Sequence, residues 1–152
     1  MNQPVGQRVH ILQIPIRSMM VVVPISNTAE VTNVGELVSI PCSPAWVQGA
    51  VAWRGRAIPL FAFESLLGKP ISPISSRSKV VIFNPLTGRK DWEFFGMLAT
   101  SEPHPGVVDN IEPLTMATSE FASNPYVAAE IRLQAKRGLI PNLDTLARVF
   151  YL

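Results

Sequence analysis

Few side chains in this sequence could carry out chemistry, and their spacing keeps them apart. There are two histidines, His10 and His104, and a single cysteine, Cys42. His10 sits in the apolar run Arg8-Val9-His10-Ile11-Leu12-Gln13-Ile14 and reads as a strand side chain on the surface of a small barrel. His104 lies between Pro103 and Pro105, with no Cys, Asp or Glu cluster at metal-ligand spacing. Cys42 stands between Pro41 and Ser43 with no cationic neighbour to favour a thiolate, and reads as a small buried thiol. It cannot form an internal disulfide, which fits a reducing compartment. No nucleophile elbow, phosphate-binding loop or dinucleotide fingerprint is present, and the 11 acidic residues are scattered. We therefore expect no catalytic residue, no cofactor and no metal site. The basic clusters Arg54/Arg56, Arg89/Lys90 and Lys136/Arg137 fall at expected turns, where solvated charge is ordinary. A small-barrel module that binds nucleic acid would need a basic stripe with exposed aromatics, and is the alternative reading.

The elements that would position these residues are short and strand-like. Proline removes a ladder donor and breaks helix interiors, and 14 of the 152 residues are proline, against an average of about 5%. Between prolines the sequence predicts strands at Arg8–Ile14, Met19–Val23, Ala29–Val34, Val47–Trp53, Ala57–Phe61, Lys79–Phe83, Trp92–Ala99 and Val127–Leu133. Phe63–Gly68 reads as a turn or two of helix closed by glycine. Residues 142–150 read as a C-terminal helix with Asn142 as N-cap and Leu143, Leu146, Ala147 and Phe150 on its apolar face. Lys69–Ser78 and Ser101–Gly106 read as loops.

Composition narrows the class. The chain is 47% apolar and 16% charged, too apolar for an intrinsically disordered protein. No window nears 18 apolar residues without charge or proline, so no membrane-spanning helix is expected, and Met1–Gln7 lack the pattern of a secretory signal. The net charge of +2 gives little reason to expect nucleic-acid or membrane binding. Length fits one domain. What remains is apolar surface and strand edges, which suit protein partners.

The two halves resemble each other at an offset of 80 residues. Trp46-Val47 answers Tyr126-Val127, Val51 answers Ile131, and Phe63-Glu64-Ser65-Leu66 answers Leu143-Asp144-Thr145-Leu146. Each half has an Arg-Gly pair, Arg54-Gly55 and Arg137-Gly138, displaced by three residues as though the alignment slips. The expected organisation is a single domain over 1–152 with approximate lobes 8–70 and 78–140 and a helix at 142–150, an all-β fold of two similar small barrels.

The stretch from Val23 to Gly68 resembles the CheW family of chemosensory coupling proteins. The matching residues are Ala29-Glu30-Val31, the turn Pro41-Cys42-Ser43-Pro44, the hairpin Val47-Gln48-Gly49-Ala50-Val51-Ala52-Trp53-Arg54-Gly55, and Ile58-Pro59 before the short helix. The second half, from Tyr126-Val127 through Leu143-Asp144-Thr145-Leu146, resembles the family's closing hairpin and helix. The resemblance implies two five-stranded β-barrels around a shared apolar core. It also implies a non-catalytic, cytoplasmic adaptor at membrane-associated receptor arrays. Such a protein links the cytoplasmic tip of a methyl-accepting chemoreceptor to the regulatory domain of a CheA-type histidine kinase, and can pair with other CheW-like proteins. By position, Glu30, Val31, Val47, Gly49, Val51, Arg54 and Gly55 match the receptor- and kinase-binding region, with Glu30 and Arg54 expected to pair and face the receptor groove. Gly49 and Gly55 are explained by backbone geometry alone. The family's Asn and Leu are here Ala52 and Trp53, its Asp before the helix is Ala62, its nearby arginine is Glu64, and a glycine of the second half is Ala129. This divergence resembles the accessory adaptors of type IV pilus twitching systems.

Overall fold

The computed structural model describes residues 9–17, 19–85, 93–108, 112–113, 120–121, 123–133 and 136–150. Its strands are β1 (Val9–Ile16), β2 (Met19–Pro24), β3 (Thr28–Asn33), β4 (Leu37–Val38), β5 (Val47–Trp53), β6 (Arg56–Phe61), β7 (Lys79–Phe83), β8 (Phe95–Ala99), β9 (His104–Val108), β10 (Glu112–Pro113), β11 (Val127–Leu133) and β12 (Lys136–Pro141). The helices are α1 (Phe63–Leu66) and α2 (Leu143–Phe150). The fold is all-β with short helices.

The strands form two sheets, in the orders β10-β11-β12-β2-β1-β9 and β4-β5-β6-β8-β7-β3. The two orders correspond position for position. Each has one parallel contact, β12 beside β2 and β6 beside β8, with antiparallel pairs elsewhere. The first sheet draws β1 and β2 from the start of the chain and β9 to β12 from its end, whereas the second is continuous in sequence.

The offset of 80 is kept between the β5–β6 and β11–β12 strands and at the helix starts. The β5–β6 ladder runs from Val47↔Phe61 to Trp53↔Arg56, with a register shift between Val47 and Gly49. The β11–β12 ladder runs from Val127↔Pro141 to Leu133↔Lys136, with its shift between Val127 and Ala129. Ala62 N–H donates to Trp46 O at 2.8 Å, and Asn142 N–H to Tyr126 O at 2.8 Å. There is thus no slip at the Arg-Gly pairs. Arg137-Gly138 lies inside β12, where Gly138 pairs with Ile131 and Met20, because strand register rather than the repeated letters fixes the turn. A side chain at Gly138 would press on Val22 and Ile131.

Among the described residues neither sheet closes its ladder, so the two expected five-stranded barrels are two open, six-stranded sheets. In the second sheet the unpaired edges are β3 and β4, successive strands joined by residues 34–36. β4 has only two residues, too few to carry a closing ladder across from β3. The sheet still curls over a small core of Val51, Trp53, Ile58, Leu60, Val80, Ile82 and Leu98, with Ala29 of β3 and Leu37 of β4 both packed against it.

Strand alternation then sorts side chains between cores. Val80 and Ile82 join the small core, and Val81 and Phe83 point the other way into a larger one. That larger core is shared. Ile14, Val21 and Leu139 of the first sheet meet Phe61, Val81, Phe83, Phe95 and Met97 of the second, together with Leu143, Leu146 and Ala147 of α2. Phe61, Phe63, Phe83 and Phe95 are all fully buried, each contributing about 1.5–3 kcal/mol by burial. Strands buried on both faces explain why the chain is rich in continuous apolar runs such as Met19–Val23 and poor in charge.

Local signals behave as expected at both helices. Gly68, at φ +74, ends α1, with Gly68 N–H on Ser65 O and Lys69 N–H on Glu64 O. Asn142 Oδ1 accepts the Thr145 N–H at 3.1 Å, capping α2. Two readings are corrected. Ser101–Gly106 is not all loop, since His104–Val108 forms β9. As an edge strand, β9 tolerates Pro105 without losing the fold. Cys42 is exposed rather than buried. The prolines around it hold it in a turn at φ 60, outside the strands that fill the cores. Trp92 lies outside the described residues.

Candidate protein-interaction site

The β5–β6 hairpin closes in two residues, Arg54 at φ 47 and Gly55 at φ 74. Positive φ at both central positions is the turn that matches strand twist. Glycine adopts it freely, whereas arginine does so at a cost of roughly 1–2 kcal/mol. The Arg54 side chain lies over the preceding residue. Its guanidinium carbon sits 4.7 Å from the centroid of the Trp53 ring, and its Nη2 donates to Glu30 Oε1 at 2.8 Å. Glu30 belongs to β3, so the ion pair spans the open seam of the curled sheet. Both groups remain accessible, at 68% and 38% of the side chain. An exposed pair of this kind adds little stability. What the arrangement fixes is direction, with a planar donor fork held over an aromatic face.

A second, similar layer adjoins it. Trp53 packs against Phe94 at 4.9 Å between centroids. The Arg56 guanidinium lies 5.3 Å from the Phe94 centroid and 3.9 Å from Glu93. The tip thus carries two arginines on two adjoining rings, tilted at 58° to each other, with a carboxylate beside each. Sequence reasoning found Arg54 and Glu30 but not Phe94 or Glu93. Nothing local marks them, because they lie before β8 and reach the tip only through sheet pairing.

The other expected site residues are spread along the hairpin. Gly55 is at the tip. Val51 is buried in the small core beneath it. Val31 points oppositely to Glu30 and packs against the shared core. Val47 is half-buried at the far end of β5, about 20 Å from Trp53 for six strand steps. Gly49, at φ +136, stands where a side chain would collide with the Val38 carbonyl oxygen of β4. Of the seven, only Glu30, Arg54 and Gly55 share one surface. Among the described residues no three His, Cys, Asp or Glu side chains converge to hold a metal, and no helix is long and apolar enough to cross a membrane.

Residues 10–149 match the family model of the CheW-like domain. The chain belongs to the CheW-like family. Its structure is similar to that of the scaffolding protein TtCheW from Thermoanaerobacter tengcongensis, with a TM-score of 0.73 over 94% of this chain and 90% of that one. Identity to that protein is 19%, so the likeness speaks for the fold. No curated protein matches by sequence. The two residues before the hairpin arginine of this CheW-like chain are Ala52 and Trp53. Trp53 supplies the ring on which that arginine rests.

Proposed function

We propose that this CheW-like chain is a non-catalytic adaptor coupling the cytoplasmic tip of a methyl-accepting chemoreceptor to the regulatory domain of a CheA-type histidine kinase. The single observation carrying this reading is the Glu30–Arg54 pair on Trp53 at the β5–β6 tip. It offers an oriented charge pair to a helical partner, with Gly55 giving close access, Val47, Gly49 and Val51 shaping the hairpin behind it, and Val31 seating β3 on the shared core. The chain works in the cytoplasm at receptor arrays. The departures at Ala52 and Ala62 favour the accessory branch serving type IV pilus twitching over flagellar chemotaxis.

The test is co-purification with a receptor cytoplasmic fragment and with the kinase regulatory domain. Binding to both is expected, and Arg54→Ala should weaken receptor binding about tenfold, equal to ~1.4 kcal/mol, with an unchanged circular dichroism spectrum. Absence of binding to either partner at about 100 μM, a free energy near −5.5 kcal/mol, would overturn the reading. Impaired twitching with intact flagellar chemotaxis in a deletion strain would support the pilus branch, and the reverse would remove it.

A further inference from the structure

At the opposite end of β6 from the tip, about 20 Å away by strand length, a pocket of about 290 Å³ opens where three segments meet. Arg17 and Met19 line it from the β1–β2 turn, Lys69 and Pro70 from the exit of α1, and Glu120 from the segment before β11. One residue sets the spacing of its two cations. Glu64, at 1% exposure, accepts the Arg17 backbone N–H on Oε2 at 3.2 Å, and its carbonyl oxygen accepts the Lys69 backbone N–H at 2.9 Å.

The cations differ in state. Lys69 is engaged, 2.9 Å from Glu120 and 5.8 Å from the Phe121 centroid. The wall it leans on is fastened by Asn124 Nδ2, which donates to Leu66 O at 2.9 Å. Arg17 is held at its backbone, and among the described residues no carboxylate pairs with its exposed guanidinium. A free planar fork suits a carboxylate bidentately. Met19 and Pro70 line the pocket with apolar surface that suits an aliphatic stem. Glu120 is occupied by Lys69, and Glu64 lies below, out of contact with solvent.

We propose that this pocket is a second docking site, separate from the Arg54 tip, which takes a glutamate side chain presented by an acidic segment of a protein partner. Arg17 grips the carboxylate, the Lys69–Glu120 pair forms the opposite wall, and the Glu64 side chain is a positioning group for Arg17. An adaptor with contacts at both ends of β6 can hold two chains at once.

The experiment follows backbone amide chemical shifts during titration with a blocked acidic tetrapeptide, acetyl-Glu-Glu-Glu-Glu-amide. Its glutamine counterpart and inorganic phosphate serve as comparison probes. Saturable shifts at Arg17, Met19, Glu64 and Lys69 are expected, with a dissociation constant of about 1 mM and none from the glutamine peptide. Arg17→Gln should weaken binding about tenfold, while Arg54→Ala leaves it unchanged, so this test fails or succeeds apart from receptor coupling. Glu64→Gln, which keeps an acceptor for the Arg17 N–H, should retain binding, and Glu64→Ala should lose it. The assignment is overturned by no saturable shift up to about 20 mM, by equal binding of the glutamine peptide, or by phosphate binding as tightly as the acidic peptide. Indifference to Arg17→Gln would overturn it too, and full retention in Glu64→Ala would remove the positioning role.

Discussion

The β5–β6 and β11–β12 hairpins are two versions of one device. They share strand register, a bulge at the same place and the hydrogen bond that launches the following helix. They differ in what each lays on that frame. On the face opposite its small core, the first presents Ala50 across from Pro59 and Ala52 across from Ala57. The equivalent positions in the second are Glu130 across from Leu139 and Arg132 across from Arg137. Arginines directly opposite repel, but Arg137 lies 3.8 Å from the buried Glu130, which also accepts the Phe121 N–H at 2.8 Å. The second hairpin thus uses its charges on that face to fasten the segment before β11. The first leaves that face small and uncharged, and concentrates its charge at the tip. A repeated scaffold can carry either a charged tip or a braced face because the backbone frame survives either choice of side chains.

That contrast can be broken or sharpened by substitution. The largest effect should come from Trp53→Ala, which empties the small core and removes the ring under Arg54. A loss of about 3–5 kcal/mol is expected in urea denaturation, and a loss under 1 kcal/mol would mean the tip does not rest on that core. Next, Gly49→Ala should cost more than about 1 kcal/mol, since φ is +136 and the Val38 oxygen stands in the way. The matching Ala129→Gly should cost only roughly 0.5–1 kcal/mol. Equal costs would erase the difference between the two bulges. Asn142→Ala should remove about 1 kcal/mol by uncapping α2. The equivalent Ala62 makes no side-chain cap on α1, so α1 is held by burial of Phe63 and Glu64 and by the hydrogen bonds at its C-terminal end. The smallest change in stability, under about 1 kcal/mol, is expected for Glu30→Gln, seen as a near-unchanged thermal midpoint alongside weakened receptor binding.

Much of this was legible where the signal is local. The Val47–Trp53 strand, the Gly68 stop and the Asn142 cap are each written within a few residues. The repeat was legible as an offset, but its turn was misplaced because Arg137-Gly138 repeats the letters of Arg54-Gly55 without repeating their place in the ladder. β9 was hidden by Pro103 and Pro105, since proline argues against a strand unless that strand is known to be an edge. Ala129 can stand where the first hairpin has Gly49 without backbone strain, as the backbone there avoids the positive φ of Gly49. The pocket at Arg17 was out of reach, because Glu64 is 47 residues away in sequence and only the packing of the two sheets brings them together.

The interrupted first sheet has a consequence for how the chain folds. The second sheet is complete once β3 through β8 have been made, so it can form while synthesis continues. β2, by contrast, must wait for β12, the strand that pairs Gly138 with Met20. Closing so long a loop is the slow, entropically costly kind of contact. Until it closes, the apolar run Met19–Val23 has no strand on one side and part of its shared core is missing. The first sheet should therefore be the late event in folding and the point at which a nascent chain is most exposed to aggregation.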